Sequence, residues 1–197
     1  MGDHLCGGPV SKLGCGSESG QEQPFKLRLH KMERTLRLTF RRLTPGDMSF
    51  ILAMEADPEV MKHTTGRIEP TAARQAELLN ALAAMPEAGL GHWCVEHQAK
   101  PIGWVSLTPL EATGRIQLAY RFVRDAWGQG FATEAGEAAL EHARTKLGLD
   151  ECVAIVWPAN KASARVLFKL RFRNEERAAH YGHEVNVLSC SLRAAVD

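Results

Sequence analysis

The run Arg121-Phe122-Val123-Arg124-Asp125-Ala126-Trp127-Gly128-Gln129-Gly130-Phe131-Ala132-Thr133-Glu134-Ala135 holds a strand end, a glycine turn and a helix start in fifteen residues. Glycines at Gly128 and Gly130 let successive backbone N–H groups face one concavity with no Cβ in the way. A helix N-terminus adds unsatisfied N–H groups and the positive end of a dipole, so an anion is the expected guest, a phosphate or pyrophosphate above all. A tight strand–helix turn without ligand would use the same two glycines. A Walker loop needs Gly-Lys-Ser/Thr, but Phe131-Ala132 follows Gly130. A dinucleotide fingerprint needs a third glycine where Thr133 stands, and an acidic residue at the far end of the next strand, where Val156-Trp157-Pro158 lies. ATP and NAD sites are therefore set aside.

Upstream of the turn, residues 35–43 alternate Leu36, Leu38 and Phe40 with polar neighbours, which predicts a half-buried strand. Thr44-Pro45 then opens a helix to about residue 56, and a short helical turn at 58–62 follows. Residues 70–85 predict a long helix with Ala76, Leu79, Leu82 and Ala83 on one face, stopped by Pro86 and Gly89. Strands at 92–97, 102–107 and 115–123 come in quick succession through short turns, so they pair antiparallel. Downstream, a helix at 128–147 is closed by Gly148, and a strand spans 151–157. A helix at 162–170 is capped by Asn160, and strands at 171–176 and 184–192 finish the chain, with 174–182 expected as a loop. The order implies a mixed α/β sheet, antiparallel in its first half, with a helical crossover in its second.

Composition narrows the function. The 197 residues are 45% hydrophobic and 24% charged, enough for one good core. A formal net charge of +1 argues against bulk-charge binding of nucleic acid or membrane surfaces. No window approaches the roughly 18 consecutive apolar residues of a span, and no export signal is legible, so a cytoplasmic protein is expected. Five scattered cysteines, Cys6, Cys15, Cys94, Cys152 and Cys190, fit neither a disulfide framework nor a metal site. Residues 1–33 are rich in Gly, Ser, Gln and Glu and read as a flexible tail, so 34–197 is expected to be one domain, with a natural start as late as Met32.

Several blocks together resemble the GNAT superfamily of acyl-CoA-dependent N-acyltransferases, within it the ribosomal-protein alanine and serine N-acetyltransferases. The likeness covers about residues 35–192. It rests on Leu36-Arg37-Leu38, Arg42-Leu43-Thr44-Pro45-Gly46-Asp47, Asp57-Pro58-Glu59-Val60-Met61, Lys100-Pro101-Ile102-Gly103, the 127–135 turn, and Asn160-Lys161-Ala162-Ser163-Ala164-Arg165-Val166-Leu167 with Lys169-Leu170-Arg171-Phe172. The resemblance implies a single α/β (α+β) domain. Its sheet would be mixed but mostly antiparallel, with about seven strands splayed between the fourth and fifth and helices on both faces. Acetyl-CoA would be the co-substrate. Phe122 and Val123 would pair with the pantetheine, and Gly128, Gln129, Gly130, Phe131, Ala132 and Thr133 would hold the pyrophosphate, with Asn160 nearby. Trp127 has a competing role as a packing anchor.

The implied reaction is direct attack of a primary amine, from a protein N-terminus or a small molecule, on the thioester. It needs a polarised carbonyl, here from a strand N–H near Val123, and a proton for the departing thiolate. Ser163 matches the proton-donor position, although a third helical residue is often just polar; Tyr120 and Glu176 complete the candidate set. The branch carries Glu where this chain has Gln117, which cannot accept a proton, so Glu111, His92, Glu176, Glu184 or a water stay open as base. His63, Arg67, Glu69, His180, Tyr181 and His183 are expected on the acceptor side. A homodimer is an option. No metal is expected. The other reading is a non-catalytic acyl-CoA-binding or regulatory module on the same fold.

Overall fold

A computed structural model describes residues 32–84 and 89–193. Seven strands form one sheet: β1 (Leu38–Arg42), β2 (Gly91–His97), β3 (Lys100–Pro109), β4 (Ile116–Phe122), β5 (Glu151–Val156), β6 (Arg173–His180) and β7 (His183–Ser191). Their order is β1-β2-β3-β4-β5-β7-β6. Every neighbouring pair is antiparallel except β4 with β5. The helices are α1 (Met48–Ala56), α2 (Pro58–Met61), α3 (Ala72–Ala83), α4 (Phe131–Lys146) and α5 (Lys161–Lys169).

Period-2 alternation sorts the sheet's side chains between two layers. Trp93, Val95, Val105, Leu107, Leu118 and Phe122 bury one face against Phe131, Ala135, Ala139 and Ala143 of α4 and Leu167 of α5. On the opposite side α1 buries Met48, Ile51, Leu52 and Met54, and its buried Glu55 binds Arg74 of α3 and lies 3.8 Å from Arg121 of β4. Two glycines permit close approach. A Cβ at Gly103 would sit 2.4 Å from the Arg121 carbonyl and 2.6 Å from the Phe122 ring, its cross-strand partner. A Cβ at Gly136 would sit 2.5 Å from Leu170, so α4 and the end of α5 could not close up.

Four expectations are corrected. β1 starts at Leu38, not at 35, because the Thr35 hydroxyl accepts from Leu38 N and bends the chain; Leu36 is consequently 98% exposed. The 174–182 loop is instead mostly β6, paired with β7 from Arg173↔Ser189 to His180↔His183, so only Tyr181 and Gly182 form the turn. α3 starts at Ala72, not at 70, because the Thr71 side chain caps it by accepting from Arg74 N; on its expected apolar face Leu79 and Leu82 are half-buried, Ala76 and Ala83 exposed. Its Arg74 also pairs with Glu55 of α1 at 2.8 Å. Met32, counted with the tail, is 1% exposed within the core. Residues 1–31, including Cys6 and Cys15, and the expected helix end at Met85 and Pro86 lie outside the described residues.

Candidate active site

β4 pairs with β3 along its whole length, and β5 with β7 likewise. Between β4 and β5 the register holds at one position, Gln117↔Val153. Beyond it 118–122 and 154–156 are unpaired with each other, which leaves a wedge between the two strands. Strand amides alternate in direction. The Val123 N–H donates to Ile102 O at 3.0 Å, on the β3 side. By alternation the Phe122 and Tyr120 amides face the wedge. Of the amides near Val123, the one aimed into the wedge is therefore that of Phe122, since Val123 spends its own N–H on the sheet.

The chain leaves β4 through a 3-10 turn at Arg124–Ala126 and reaches Gly128 (φ +74°) and Gly130 (φ +82°), then α4. The N–H groups of Gly128, Gln129, Gly130, Phe131 and Ala132 donate to nothing among the described residues. The Thr133 amide differs, because it donates to Gly130 O at 3.1 Å. Five successive free amides at the head of a sixteen-residue helix form an anion cradle. Trp127 anchors the turn from inside: its indole N–H donates to Phe122 O at 2.9 Å, although the ring is half-exposed.

Arg37 braces the turn from outside, a residue no local pattern singled out. Its Nη1 donates to Gln129 O at 3.0 Å, its Nε to Glu134 at 2.7 Å, and its guanidinium lies over the Phe131 ring. Thr35 also donates to Glu134. Burial works to raise the Glu134 pKa, but these donors prevail and hold the carboxyl below its usual range. An ionised carboxylate in the first turn would oppose a bound anion; Arg37 neutralises it. The partners sit 97 residues apart in sequence, so only the fold reveals the pair. A groove of about 520 Å³ runs beside this brace, lined by Arg37, Gly130, Thr133, Glu134 and Lys169 among others.

Across the wedge the structure brings Tyr120 and Ser163 together. The Tyr120 hydroxyl lies 3.0 Å from Ser163 Oγ and 3.2 Å from its carbonyl oxygen. Burial pushes the Tyr120 pKa up to about 12, so it remains a neutral donor. Asn160 Oδ1 accepts from Ser163 N at 3.0 Å, capping α5 and fixing the serine. Glu176 is not brought here. It lies exposed on edge strand β6, with β7 and β5 between it and β4, and it bonds to neither hydroxyl.

Gln117 is buried, and its Nε2 donates to the Tyr181 hydroxyl at 2.6 Å. Tyr181 N donates to Glu111, whose other oxygen meets His180 Nδ1 at 2.5 Å. Those two bonds, His180 first, hold the Glu111 pKa down. The β6–β7 turn thus brings Tyr181 to Gln117, with His180 beside it on Glu111. His183 stacks on Trp157 instead, and Arg67 pairs with Glu69. His92 is held neutral, its pKa pulled down to about 4 by burial and by Arg42. A cavity of about 110 Å³ between Val123 and α1–α2 adjoins the turn. Among the described residues no cluster of His, Cys, Asp or Glu could hold a metal, and no helix is long and apolar enough to cross a membrane.

A family model described as acetyltransferase (GNAT) domain matches residues 37–173. A protein of Bacillus licheniformis named "Uncharacterized N-acetyltransferase p20" is 30% identical over 166 residues, covering 80% of this chain and 93% of its own length. Two solved structures share the fold. A spermidine N-acetyltransferase from Vibrio cholerae, in complex with CoA and spermine, has TM-score 0.65 and 22% identity, over 80% of this chain and 97% of its own. RimL, a ribosomal L7/L12 alpha-N-protein acetyltransferase in complex with CoA, has TM-score 0.68 and 14% identity, over 81% and 97%.

Proposed function

The chain belongs to the acetyltransferase (GNAT) family, and from that premise we propose that it transfers the acetyl group of acetyl-CoA to a primary amine, of a small molecule or a protein N-terminus, with the residues around the β4–β5 wedge doing the work. The observation that carries this reading is the row of five unbonded amides, Gly128 to Ala132, at the mouth of the wedge. Those amides take the pyrophosphate, and the backbone of Phe122 and Val123 lies along the pantetheine, with Asn160 opposite.

The residues divide the chemistry by face. The Phe122 N–H, aimed into the wedge, stabilises negative charge developing on the thioester oxygen. Tyr120 and Ser163 stand on the α4–α5 side. Ser163 gives its proton to the departing thiolate and is resupplied from the Tyr120 hydroxyl 3.0 Å away. The amine comes from the α1–α3 side. Its proton passes toward the titratable pair joined to Gln117 through Tyr181, namely His180 held by Glu111. No covalent enzyme intermediate is needed: the amine nitrogen bonds to the acetyl carbon as the carbon–sulfur bond breaks.

Thiol release from acetyl-CoA against a panel of amines and peptide N-termini tests this, with CoA affinity measured by calorimetry on the same preparation. Turnover with at least one amine is expected. CoA binding without thiol release across the panel would favour a non-catalytic module, the reading that Gln117 motivates. An absence of CoA binding would overturn the site itself.

A further inference from the structure

One face of the sheet carries a row of direct cross-strand partners, Arg41, Cys94, Trp104 and Arg121. Arg41 and Arg121 share this face with Arg74 from α3, and of these Arg41 and Arg74 are saturated. Arg41 makes a bidentate pair with Asp47 at 2.7 Å for both bonds and takes Glu96 at 2.8 Å. Arg74 makes a bidentate pair with Glu55 at 2.8 Å and takes Glu77 at 2.8 Å.

Arg121 has no such partner. The Glu55 oxygen 3.8 Å away already accepts from Arg74. The guanidinium donates no hydrogen bond to any described residue, and it leans on the Trp104 ring at 5.4 Å. Its side chain is only 19% exposed, yet none of its nitrogens is sealed from solvent. The other carboxylates of this side are engaged: Asp57 caps α2, and Glu111 holds His180. Arg121 therefore shares the buried Glu55 carboxylate with Arg74 but makes no hydrogen bond to it. Keeping a cation half-desolvated with its donors unused costs stability that an apolar side chain of similar size would not. A fork of donors that reaches water without a protein acceptor matches a carboxylate in two-point geometry.

The placement says what the anion belongs to. Arg121 is the residue before Phe122, whose amide faces the wedge. Its side chain leaves the strand toward α1 and α3, the side from which the amine approaches. We infer that the acceptor is a primary amine that also carries a carboxylate close to its nitrogen, bound by Arg121; this rests on the acetyl-transfer reading above. The shared chemistry has two sources, the α-carboxylate of a free amino acid and the side chain of an acidic first residue in a peptide. Polyamines bring cations to the same place and are disfavoured.

The test is acceptor specificity of the full chain, read as kcat/KM from thiol release. Its arms are L-amino acids against their carboxamides, peptides beginning with Asp or Glu against Asn or Gln, and spermidine. Amidating the carboxylate should lower kcat/KM about tenfold to hundredfold, the size of one charged hydrogen-bonded pair. The amino-acid and peptide arms tell the two sources apart. In Arg121→Met the acid-to-amide ratio should collapse toward one, while Arg121→Lys should keep part of it. Glu55 retains Arg74 in both variants, and the wild-type ratio needs no variant at all. Equal rates for acid and amide, a preference for spermidine, or an unchanged ratio in Arg121→Met would overturn the inference and leave acetyl transfer standing. Thiol release from none of the acceptors would overturn acetyl transfer, and the inference with it.

Discussion

Gly128 and Gly148 make a matched pair. Both have positive φ, +74° and +65°, and a Cβ at either meets nothing within 4 Å. The Cβ of a substituted residue therefore meets open space at either site, and the cost common to the two valine variants is backbone strain. A non-glycine residue in the left-handed region costs about 1–2 kcal/mol, toward the upper end for a β-branched side chain. For a chain of this size that lowers Tm by roughly 2–8 °C. The two variants should lose this amount alike. They should differ in CoA binding. Gly148 follows α4, at the end remote from the cradle. Gly128 opens the row of five free amides. Relaxing its φ to negative values rotates the next peptide and turns two donors away from the anion. Hydrogen bonds to charged groups contribute about 1.5–3 kcal/mol each, so Gly128→Val should weaken CoA binding by at least about a hundredfold. Calorimetric titration with CoA at 25 °C, after both melting curves are recorded, makes the comparison. If Gly128→Val binds CoA within about threefold of Gly148→Val, the pyrophosphate does not sit on these amides.

Other outcomes follow from particular contacts. Ser163→Ala should lower kcat by about a hundredfold with KM for acetyl-CoA little changed, and Tyr120→Phe by about tenfold; steady-state kinetics that show a raised KM at constant kcat would make the pair a binding feature. Gly103→Ala should destabilise by about 1–3 kcal/mol in urea unfolding, because its Cβ would stand 2.4 Å from the Arg121 carbonyl oxygen; a change under about 0.5 kcal/mol would mean that β3 yields freely. His92 titrates near 4 when folded and near 6.5 when unfolded, so the unfolded chain binds the extra proton between those values. Its contribution is complete above pH 6.5 and is lost as pH falls through 4, up to about 3 kcal/mol. Unfolding at pH 7 and pH 4.5 should show a smaller drop for His92→Gln than for the wild type, and equal drops would exclude His92 as the cause.

Much of the fold was legible because its signals are local. The alternation in 92–97 and 102–107, the Gly128–Gly130 turn and the Asn160 cap each lie within a few residues. Each reports its own element, and β2, β3, α4 and α5 stand where those signals put them. The second half of β6, beyond the strand expected at 171–176, escaped the pattern because it is an edge strand with mostly exposed residues, so no apolar period marks it. α3 shows a real apolar period, but of that stripe only the leucines are half-covered, and Arg74 adds an ion pair to Glu55 of α1.

The sequence by itself determined the strand–turn–helix that exposes five amides, since glycine at two positive-φ positions is a local demand that no other residue meets as cheaply. It also determined the serine at the head of α5. Only the tertiary structure decided that Tyr120 meets Ser163, that Arg37 quiets Glu134 beside the cradle, and that Arg121 keeps its donors free. Those facts depend on distances between residues 43, 97 and 66 positions apart, and chain separation carries no distance until the sheet has closed its register.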